Sequence, residues 1–314
     1  MIFNFVLLNH GSTRLKAMRD LLAPIFAALE EMDHHVIQYA FGFLPAPAVN
    51  VLVEFFPKDE LVDSILALRA ERRDGLIFGV LCLDDIDDLA LMAEAGTPRR
   101  RDNLLRLLPA ADFVWTSLAQ APALAAHCPP GRVAQIHYGF CASELNQRIV
   151  SDPRLRGTDV VLYGAETPYR LAIVDDLKRR GLQCAFSDPR TMPPYLASDV
   201  VSHAKLLLDL RDRAGDRFLS PAGAMRGLHN GTLVVSELWD EAPPASPCHK
   251  FTMREAYAVL AGRCEQVVRS GQSARIAETA LAGFRSQHSM RDNVAAAMAA
   301  AGFPRLLRDA YRRR

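Results

Sequence analysis

The sequence lacks features that mark several large classes of protein. Its 37 basic and 36 acidic side chains leave a formal charge of +1, which provides none of the electrostatic field that nucleic-acid and anionic-membrane binders need. The six cysteines contain no C-x-x-C pair, so the usual zinc and redox spacings are missing. The apolar opening run, residues 2–8, is too short to cross a bilayer and has no signal-peptide features. We therefore expect a cytoplasmic protein with reduced thiols, no metal, no nucleic-acid partner and no transmembrane segment.

What the sequence does contain is enough apolar chain for two cores. Half of its 314 residues are hydrophobic, and a single core usually stops growing at about 250–300 residues. Short runs rich in Val, Ile, Leu and Phe alternate with amphipathic stretches of helical length, which is typical of parallel sheets built from βαβ units. The pattern lapses over a polar stretch at 142–158. We predict an α/β protein with two Rossmann-like domains, residues 1–150 and 151–314, facing across a cleft.

The predicted elements follow this alternation. In the first half, the predicted strands are 2–9, 35–41, 50–56, 75–82, 112–116 and 133–138, and the predicted helices are 12–32, 59–73, 85–94, 98–108 and 118–126. In the second half, the predicted strands are 159–163, 182–186, 204–209 and 232–236, and the predicted helices are 168–180, 221–229, 252–261 and 272–285. The last predicted helices, 290–300 and 303–313, are expected to pack back on the first domain.

One segment of the second half has the signals of a short helix between two strands. Ser220 is a good N-cap, Pro221 is favoured at the first helical position, and Gly231 suits the residue just past a helix end. The amino end of such a helix lies at the carboxyl edge of a parallel sheet, where its N–H groups attract phosphate oxygens. Ser220 is thus a candidate phosphate contact, although capped units of this kind are also common without a ligand.

A second candidate contact is the turn after the strand at 159–163. Gly164 permits a close backbone approach, and Arg170 is expected in the first turn of the helix that begins at Pro168. The turn contains no G-x-G-x-x-G, which disfavours a standard dinucleotide site. It is either a ligand contact or an ordinary strand-to-helix connection.

Together these segments resemble the donor-binding half of GT-B glycosyltransferases. The shared order is a strand-Gly-x5-Arg turn at 164–170, a Lys-Leu-Leu-Leu-Asp-Leu strand at 205–210, and Gly-Thr-Leu-Val-Val-Ser-Glu at 231–237. The segment at 287–291 is similar to the late His-Ser/Thr-aromatic-x-x-Arg ending of the spore-maturation-protein-type (glycosyltransferase family 1/4-like) branch, with Met290 replacing the aromatic residue. The resemblance covers roughly residues 158–300 by motif and the first half by architecture.

The resemblance implies transfer of a sugar from a nucleotide-sugar co-substrate to an unidentified acceptor, without an essential metal or other cofactor. The donor would be held mainly by the second domain and the acceptor mainly by the first. The donor-binding candidates are residues of the motifs and of the capped helix: Gly164, Arg170, Ser220, Arg226, Ser236 and Glu237.

One departure from the family pattern concerns two positions that carry glutamates in many members. They are filled here by Phe218 and Arg226, and an arginine has no acceptor to offer a ribose hydroxyl. Arg226 either reaches a phosphate or carboxylate of the donor, or forms a structural ion pair with Asp209 or Glu237. Alternatively, the chain is a catalytically silent relative that binds a ligand or a protein partner through the same cleft.

His10 is the candidate catalytic residue of the first half. It follows the opening strand directly and precedes a predicted helix. A histidine at the carboxyl end of a strand can act as a general base toward an acceptor hydroxyl, because its ordinary pKa suits proton transfer near neutrality. The alternative is a histidine that caps or packs at a turn.

Two charged runs of the first half have competing interpretations. The acidic run at 84–88 either binds a divalent cation or consists of solvated carboxylates at a helix start, where the helix dipole favours negative charge. The basic run at 99–101 is expected to be a solvated helix start, or else to contact an anionic acceptor.

Overall fold

The computed structural model describes residues 1–7, 10–39, 42–71, 75–87, 99–150, 152–239, 246–303 and 305–306. Contacts along the chain divide the protein into two compact units. The first unit comprises Met1–Gly11, Ile25–Ile136 and Arg291–Arg314, and the second comprises Ser12–Pro24 and His137–Met290. The first helix, α1 (Ser12–Glu30), therefore begins in the second unit and ends in the first.

Within the described residues, the first unit contains a six-stranded parallel sheet. Its strands are β1 (Ile2–Val6), β2 (His35–Tyr39), β3 (Val49–Val53), β4 (Ile77–Cys82), β5 (Phe113–Thr116) and β6 (Val133–Gln135), in the order β2-β1-β3-β4-β5-β6. Its helices include the end of α1, α2 (Asp59–Glu71), α3 (Arg100–Leu107) and α4 (Ala121–Ala125), with a 3-10 turn at Leu108–Ala110.

The central strands of the first unit are buried on both faces. Strands β3, β4 and β5 are buried along their whole length, as expected for a parallel sheet covered by helices on both sides. The end of the chain also contributes to this core. Phe303 is buried, and its ring lies 4.6 Å from that of Phe113 and stacks on Trp115 at 5.4 Å between centroids.

The described part of the second unit contains a five-stranded parallel sheet. Its strands are β7 (Thr158–Tyr163), β8 (Cys184–Ser187), β9 (Ala204–Asp209), β10 (Leu233–Leu238) and β11 (Met253–Ala256), in the order β11-β10-β9-β7-β8. Its helices are α5 (Pro168–Arg179), α6 (Pro194–Ser202), α7 (Pro221–His229), α8 (Tyr257–Ser270) and α9 (Ser273–Gln287), and α10 (Met290–Ala300) begins at its last residue. Short 3-10 turns lie at Ala142–Glu144, Pro153–Leu155 and Pro247–Phe251.

Each sheet has one point at which the strand order reverses. In the first unit, the chain runs from β1 to its neighbour β2 and then returns to the opposite side of β1 as β3. In the second unit, the chain runs from β7 to β8 and returns to the opposite side of β7 as β9. Open α/β sheets bind their ligands beyond the carboxyl ends of the two strands that flank such a reversal. The strand order therefore marks the β1/β3 and β7/β9 edges as the expected ligand-binding edges of the two sheets.

The predicted α/β class with two Rossmann-like halves is confirmed, and helix α7 has the predicted bounds. Two elements were missed. Helix α6 supplies the crossover between parallel strands that the predicted pattern omitted. Strand β11 occupies the start of the helix predicted at 252–261, so that helix begins instead at Tyr257.

The predicted helices at 85–94 and 303–313 fall largely outside the described residues. Among the described residues, no helix is both long and apolar enough to span a bilayer.

Candidate functional site

The carboxyl edge of β7 and β9 begins at Gly164, directly after β7. Gly164 has a φ of +98°, a conformation that L-residues with a side chain rarely adopt. Its N–H donates to the Ser187 carbonyl oxygen at 3.0 Å. A Cβ at this position would overlap the guanidinium of Arg170. Only glycine therefore fits the turn, and it brings bare backbone to the reversal point.

Arg170 joins the loops that follow β7 and β9. It is 7% exposed, and its Nη1 donates to the Ala165 carbonyl at 3.1 Å. Its Nε donates to the Arg211 carbonyl at 3.0 Å, Nη2 donates to the Leu210 carbonyl, and Nη1 pairs with Asp212 at 2.8 Å. The guanidinium thus fastens the two loops together at the reversal point.

Helix α7 begins at the same edge. Ser220 is exposed and its hydroxyl accepts a hydrogen bond from the Ala222 N–H at 3.3 Å, which is the predicted N-cap. A Cβ on Gly223 would overlap the carboxylate of Asp209, the last residue of β9. This close approach sets the amino end of the helix against the carboxyl end of β9.

Ser236 lies in the buried part of this edge. Its hydroxyl donates to Asp209 Oδ2 at 3.4 Å, and His249 Nε2 lies 3.6 Å from the same oxygen. All three side chains are at most 3% exposed. Ser236 therefore helps to hold the Asp209 carboxylate, against which the first turn of helix α7 packs.

Glu237 is fully buried and forms an ion pair with Arg211. Arg211 Nη2 donates to Glu237 Oε1 at 2.6 Å, and the Arg211 N–H donates to Oε2 at 3.1 Å. The Tyr169 hydroxyl donates to Oε1 at 2.5 Å. The Arg211 guanidinium also lies 4.1 Å from the centre of the Trp239 ring. Glu237 of β10 therefore joins the loop after β9 to the first turn of helix α5.

Arg226 forms a buried ion pair with Asp20 of helix α1. Arg226 Nε donates to Asp20 Oδ2 at 3.1 Å, Nη2 donates to Oδ1, and Nη1 donates to the Ser198 hydroxyl at 2.8 Å. The Tyr163 hydroxyl donates to Asp20 Oδ2 at 2.8 Å. Burial opposes the charged form of Arg226, but the Asp20 carboxylate outweighs it, so the pKa of Arg226 is raised.

The expectation that Arg226 pairs with Asp209 or Glu237 is wrong. Glu237 is satisfied by Arg211, and Asp209 lies at the amino end of helix α7, whereas Arg226 is the sixth residue of that helix. Asp209 packs against Gly223, three residues before Arg226, and three residues correspond to about 4.5 Å along the helix axis. Arg226 therefore reaches Asp20, which the sequence places 206 positions away.

His229 ends helix α7 beside a small pocket that is lined by Asp20, Pro24, Glu144, Met225, Arg226, His229 and Asn230. Its Nδ1 donates to the Met225 carbonyl at 2.8 Å, and its Nε2 accepts from the Cys141 N–H at 3.0 Å. These bonds fix a neutral ring, because a carbonyl can only accept and an amide N–H can only donate. Burial, as the largest cause, lowers the pKa of His229 from 6.5 to about 4.

We expect His229 to make the second unit acid-sensitive. Its pKa is lower in the folded protein than in the unfolded chain, so the stabilisation is complete above pH 6.5 and is lost as the pH falls toward 4. The loss amounts to about 3 kcal/mol, since each pKa unit corresponds to about 1.4 kcal/mol. Urea unfolding between pH 4 and 7 measures it, with His229→Gln as the variant that lacks this part of the slope. A ring that titrates near 6.5 by NMR would contradict the expectation.

His10 lies at the corresponding edge of the first unit. Its Nε2 is 3.2 Å from the carbonyl oxygen of Val53, the last residue of β3, and its ring is 5.4 Å from that of Phe55. Because His10 follows β1, this contact spans the β1/β3 reversal point. A bond to a carbonyl requires the proton on Nε2, so Nε2 is the donor in this contact.

The basic run at 99–101 contains a buried residue, and its expected solvation is wrong at Arg100. Arg100 is 5% exposed, and its Nη2 donates to Glu54 Oε2 and to Asp84 Oδ2, each at 2.8 Å. Its guanidinium lies 4.9 Å from the centre of the Phe55 ring, next to His10. Asp84 is thus part of an ion-pair network, and among the described residues no group of acidic, histidine or cysteine side chains could hold a metal ion.

The structure gathers the sequence candidates into groups within each unit. Gly164, Arg170 and Glu237 lie around the loops after β7 and β9. Ser220 caps helix α7, and Arg226 pairs with Asp20 farther along the same helix. His10 belongs to the other unit. Sequence reasoning missed the roles of Asp20 and Arg211, because Asp20 is a single acid in an amphipathic helix and Arg211 gains its partner only through strand order.

Comparison with known proteins identifies the fold. No protein-family model matches the chain, and no curated protein sequence matches it. HepE from Anabaena in complex with UDP-glucose is similar with a TM-score of 0.63 and 13% identity, over 95% of this chain and 99% of that chain. WaaG, a glycosyltransferase involved in lipopolysaccharide biosynthesis, is similar with a TM-score of 0.54 and 13% identity, over 96% and 100%.

A third similar structure is an alpha-glucosyltransferase in complex with UDP and a 13-mer DNA. Its TM-score is 0.53 and its identity 11%, over 92% of this chain and 94% of that chain. These structural neighbours are GT-B glycosyltransferases. The chain has the GT-B fold. Its two parallel-sheet halves are the Rossmann-like halves of that fold, and the β7/β9 edge belongs to the second of them.

Proposed function

We propose that this protein is a glycosyltransferase that transfers a sugar from a nucleotide-sugar donor to an acceptor without an essential metal. Residues 151–314 provide the donor side and residues 1–150 the acceptor side. We propose that within the GT-B fold it belongs to the spore-maturation-protein-type branch, which the late segment at 287–291 supports. The observation that carries the proposal is the β7/β9 edge, where the capped helix α7 and the bare backbone of Gly164 flank one reversal point.

The donor diphosphate fits this edge for electrostatic reasons. The amino end of a helix carries unpaired N–H groups and a partial positive charge, which stabilise phosphate oxygens and the charge that develops on a departing diphosphate. Ser220 and Gly164 are the proposed contacts. Arg170, Arg226, Ser236 and Glu237 already have protein partners, and in this proposal they hold the loops and helices that shape the donor site. UDP and UDP-glucose complexes of the structural neighbours support a uridine donor.

A nucleotide-sugar that binds this edge is expected to raise the midpoint of thermal unfolding. A ligand at 100 times its Kd stabilises the folded state by about 2.7 kcal/mol, which corresponds to several degrees. The measurement is a thermal-shift screen with uridine, guanosine, adenosine and cytidine nucleotide-sugars at millimolar concentration. Absence of any shift would remove the main support for a transferase.

Gly164→Ala is expected to weaken donor binding at least about tenfold, because the methyl group displaces Arg170 and occupies the site of close approach. Gly181→Ala is the matched control. Gly181 also has a positive φ, +81°, but a Cβ there would meet nothing within 4 Å. Both variants incur backbone strain of about 1–2 kcal/mol, so only a site effect distinguishes them in calorimetric titration. Equal donor affinities for the two variants would place the donor elsewhere.

A specific observation favours a second function, a catalytically silent protein that binds a ligand or a protein partner. The position of the family's ribose-binding glutamate is Arg226, and its guanidinium is occupied by Asp20. Such a protein would bind a nucleotide without transferring a sugar. Hydrolysis of the nucleotide-sugar in the absence of acceptor distinguishes an active site from a silent one. It is measured as the release of free sugar.

A further inference from the structure

Four basic side chains from separate segments of the second unit come together on its surface: His137, Lys250, Arg285 and His288. We call them the basic patch. The segments are joined by backbone hydrogen bonds, since the Phe140 N–H donates to the His288 carbonyl at 2.6 Å. The ring of His288 lies edge-on to Phe251, 5.5 Å away, and His288 interacts electrostatically with the neighbouring Lys250.

The aromatic residues of these segments support the basic groups. The Arg285 guanidinium lies 5.2 Å from the centre of the Phe140 ring. This distance is within the range of a cation–π interaction. His137 lies three residues before Phe140 in the same segment. His137, Lys250 and Arg285 are exposed, and His288 is partly exposed. The patch is therefore open to a molecule in solution.

Lys250 and Arg285 give the basic patch its positive charge, and the two histidines, whose pKa values are lowered, add largely uncharged imidazole N–H groups at neutral pH. Burial, and then the positive charges of His288 and Lys250, lower the pKa of His137. Burial, and then Lys250, lower the pKa of His288. Within residues 137–150, 152–239 and 246–290, none of the four forms an ion pair with a carboxylate. Elsewhere in the same unit, arginines such as Arg180 and Arg211 are paired with acids.

The basic patch is separate from the proposed donor site. Phe140 stacks on His229, the last residue of helix α7, with 5.5 Å between ring centroids. Ser220 caps the opposite end of that helix. Nine helical residues at about 1.5 Å each place the two ends roughly 13 Å apart. A ligand on the patch would therefore not occupy the Ser220 edge.

We propose that the basic patch binds a phosphate group carried by a molecule other than the sugar donor. Ammonium, guanidinium and imidazole N–H groups all donate to phosphate oxygens, and a guanidinium can do so with two N–H groups at once. An anion also offsets the positive charge of Lys250 and Arg285. The phosphate belongs either to a soluble phosphorylated compound or to a lipid headgroup.

The test is a titration of the full chain with inorganic phosphate, in which the imidazole NMR signals of His137 and His288 report binding. Both signals are expected to shift along one saturable curve. Lys250→Ala/Arg285→Ala is expected to weaken the phosphate Kd about fivefold, as for the loss of two surface charge contacts. Lys178→Ala/Arg179→Ala is the matched control, because it removes the same charge from an exposed stretch of helix α5.

Saturable binding that only the patch variant weakens supports the proposal. Non-saturable shifts, or a patch variant that weakens binding no more than the control variant does, overturn it. Flotation with phosphatidylglycerol vesicles, compared with phosphatidylcholine vesicles, then identifies the source. Patch-dependent flotation indicates a lipid headgroup, and phosphate binding without flotation indicates a soluble compound. These measurements contain no nucleotide-sugar, so their outcome is independent of the proposed sugar transfer.

Discussion

Replacing Asp20 with alanine is expected to lower the free energy of unfolding of the second unit by about 3–5 kcal/mol. Removal of one partner from a buried ion pair leaves the other charge without compensation. Arg226 is 8% exposed, and two of its three donor groups bond to Asp20. Tyr163 also loses its acceptor. Urea unfolding followed by far-UV circular dichroism measures the change.

Two further variants make this stability prediction specific. Asp176→Ala removes one acidic partner of Arg180 at the end of helix α5, while Arg180 keeps its ion pair with Glu265, and the variant should change stability little because exposed ion pairs contribute little. Asp20→Leu/Arg226→Met removes both charges of the buried pair, and it should be less destabilising than Asp20→Ala. If the double variant were the less stable of the two, an unpaired charge would not be the cause.

Replacing His10 with alanine is expected to lower kcat of the proposed sugar transfer by about 10²–10⁴-fold, the usual contribution of a general base. His10 Nε2 lies 3.2 Å from the Val53 carbonyl oxygen, which holds the ring at the carboxyl end of β3. Since His10 belongs to the first unit and the proposed donor contacts to the second, the Kd of the nucleotide-sugar should not change. Steady-state kinetics and calorimetry measure the two quantities.

The control for His10 is His127→Ala, which removes an exposed histidine from the same unit and should leave kcat unchanged. Phe55→Leu tests the packing around His10, because the Phe55 ring contacts both His10 and Arg100. A His10→Ala protein that retains full kcat would show that this histidine is only a packing residue at the turn.

Local signals predicted the parts of this structure that depend on neighbouring residues. Helix α7 has its expected bounds because Ser220, Pro221 and Gly231 each satisfy a backbone requirement within the segment itself. Gly164 was likewise identifiable, since a glycine between a strand and a helix often has a positive φ. Alternating apolar runs were sufficient for the fold class, because parallel sheets leave few other arrangements.

Long-range pairing was not predictable from one sequence. Arg226 had two nearby acids as candidates in the sequence, yet its partner is Asp20, because helix packing and not sequence distance selects the contact. Arg100 looked like part of a solvated basic run until Glu54 and Asp84 from two strand ends converged on it. Helix α6 escaped detection because two prolines and a tyrosine obscure its short apolar pattern.

The place of Phe303 in the first core affects how the chain folds as it emerges from the ribosome. The rings of Phe113 and Trp115 are covered by a residue that is synthesised almost 190 positions later, whereas all segments of the second unit are complete by Met290. Because compact units generally fold as wholes during synthesis, the second unit can mature while the first still exposes aromatic surface. The half that begins first along the chain is therefore the half that finishes last, and it is the one that chaperones would need to protect.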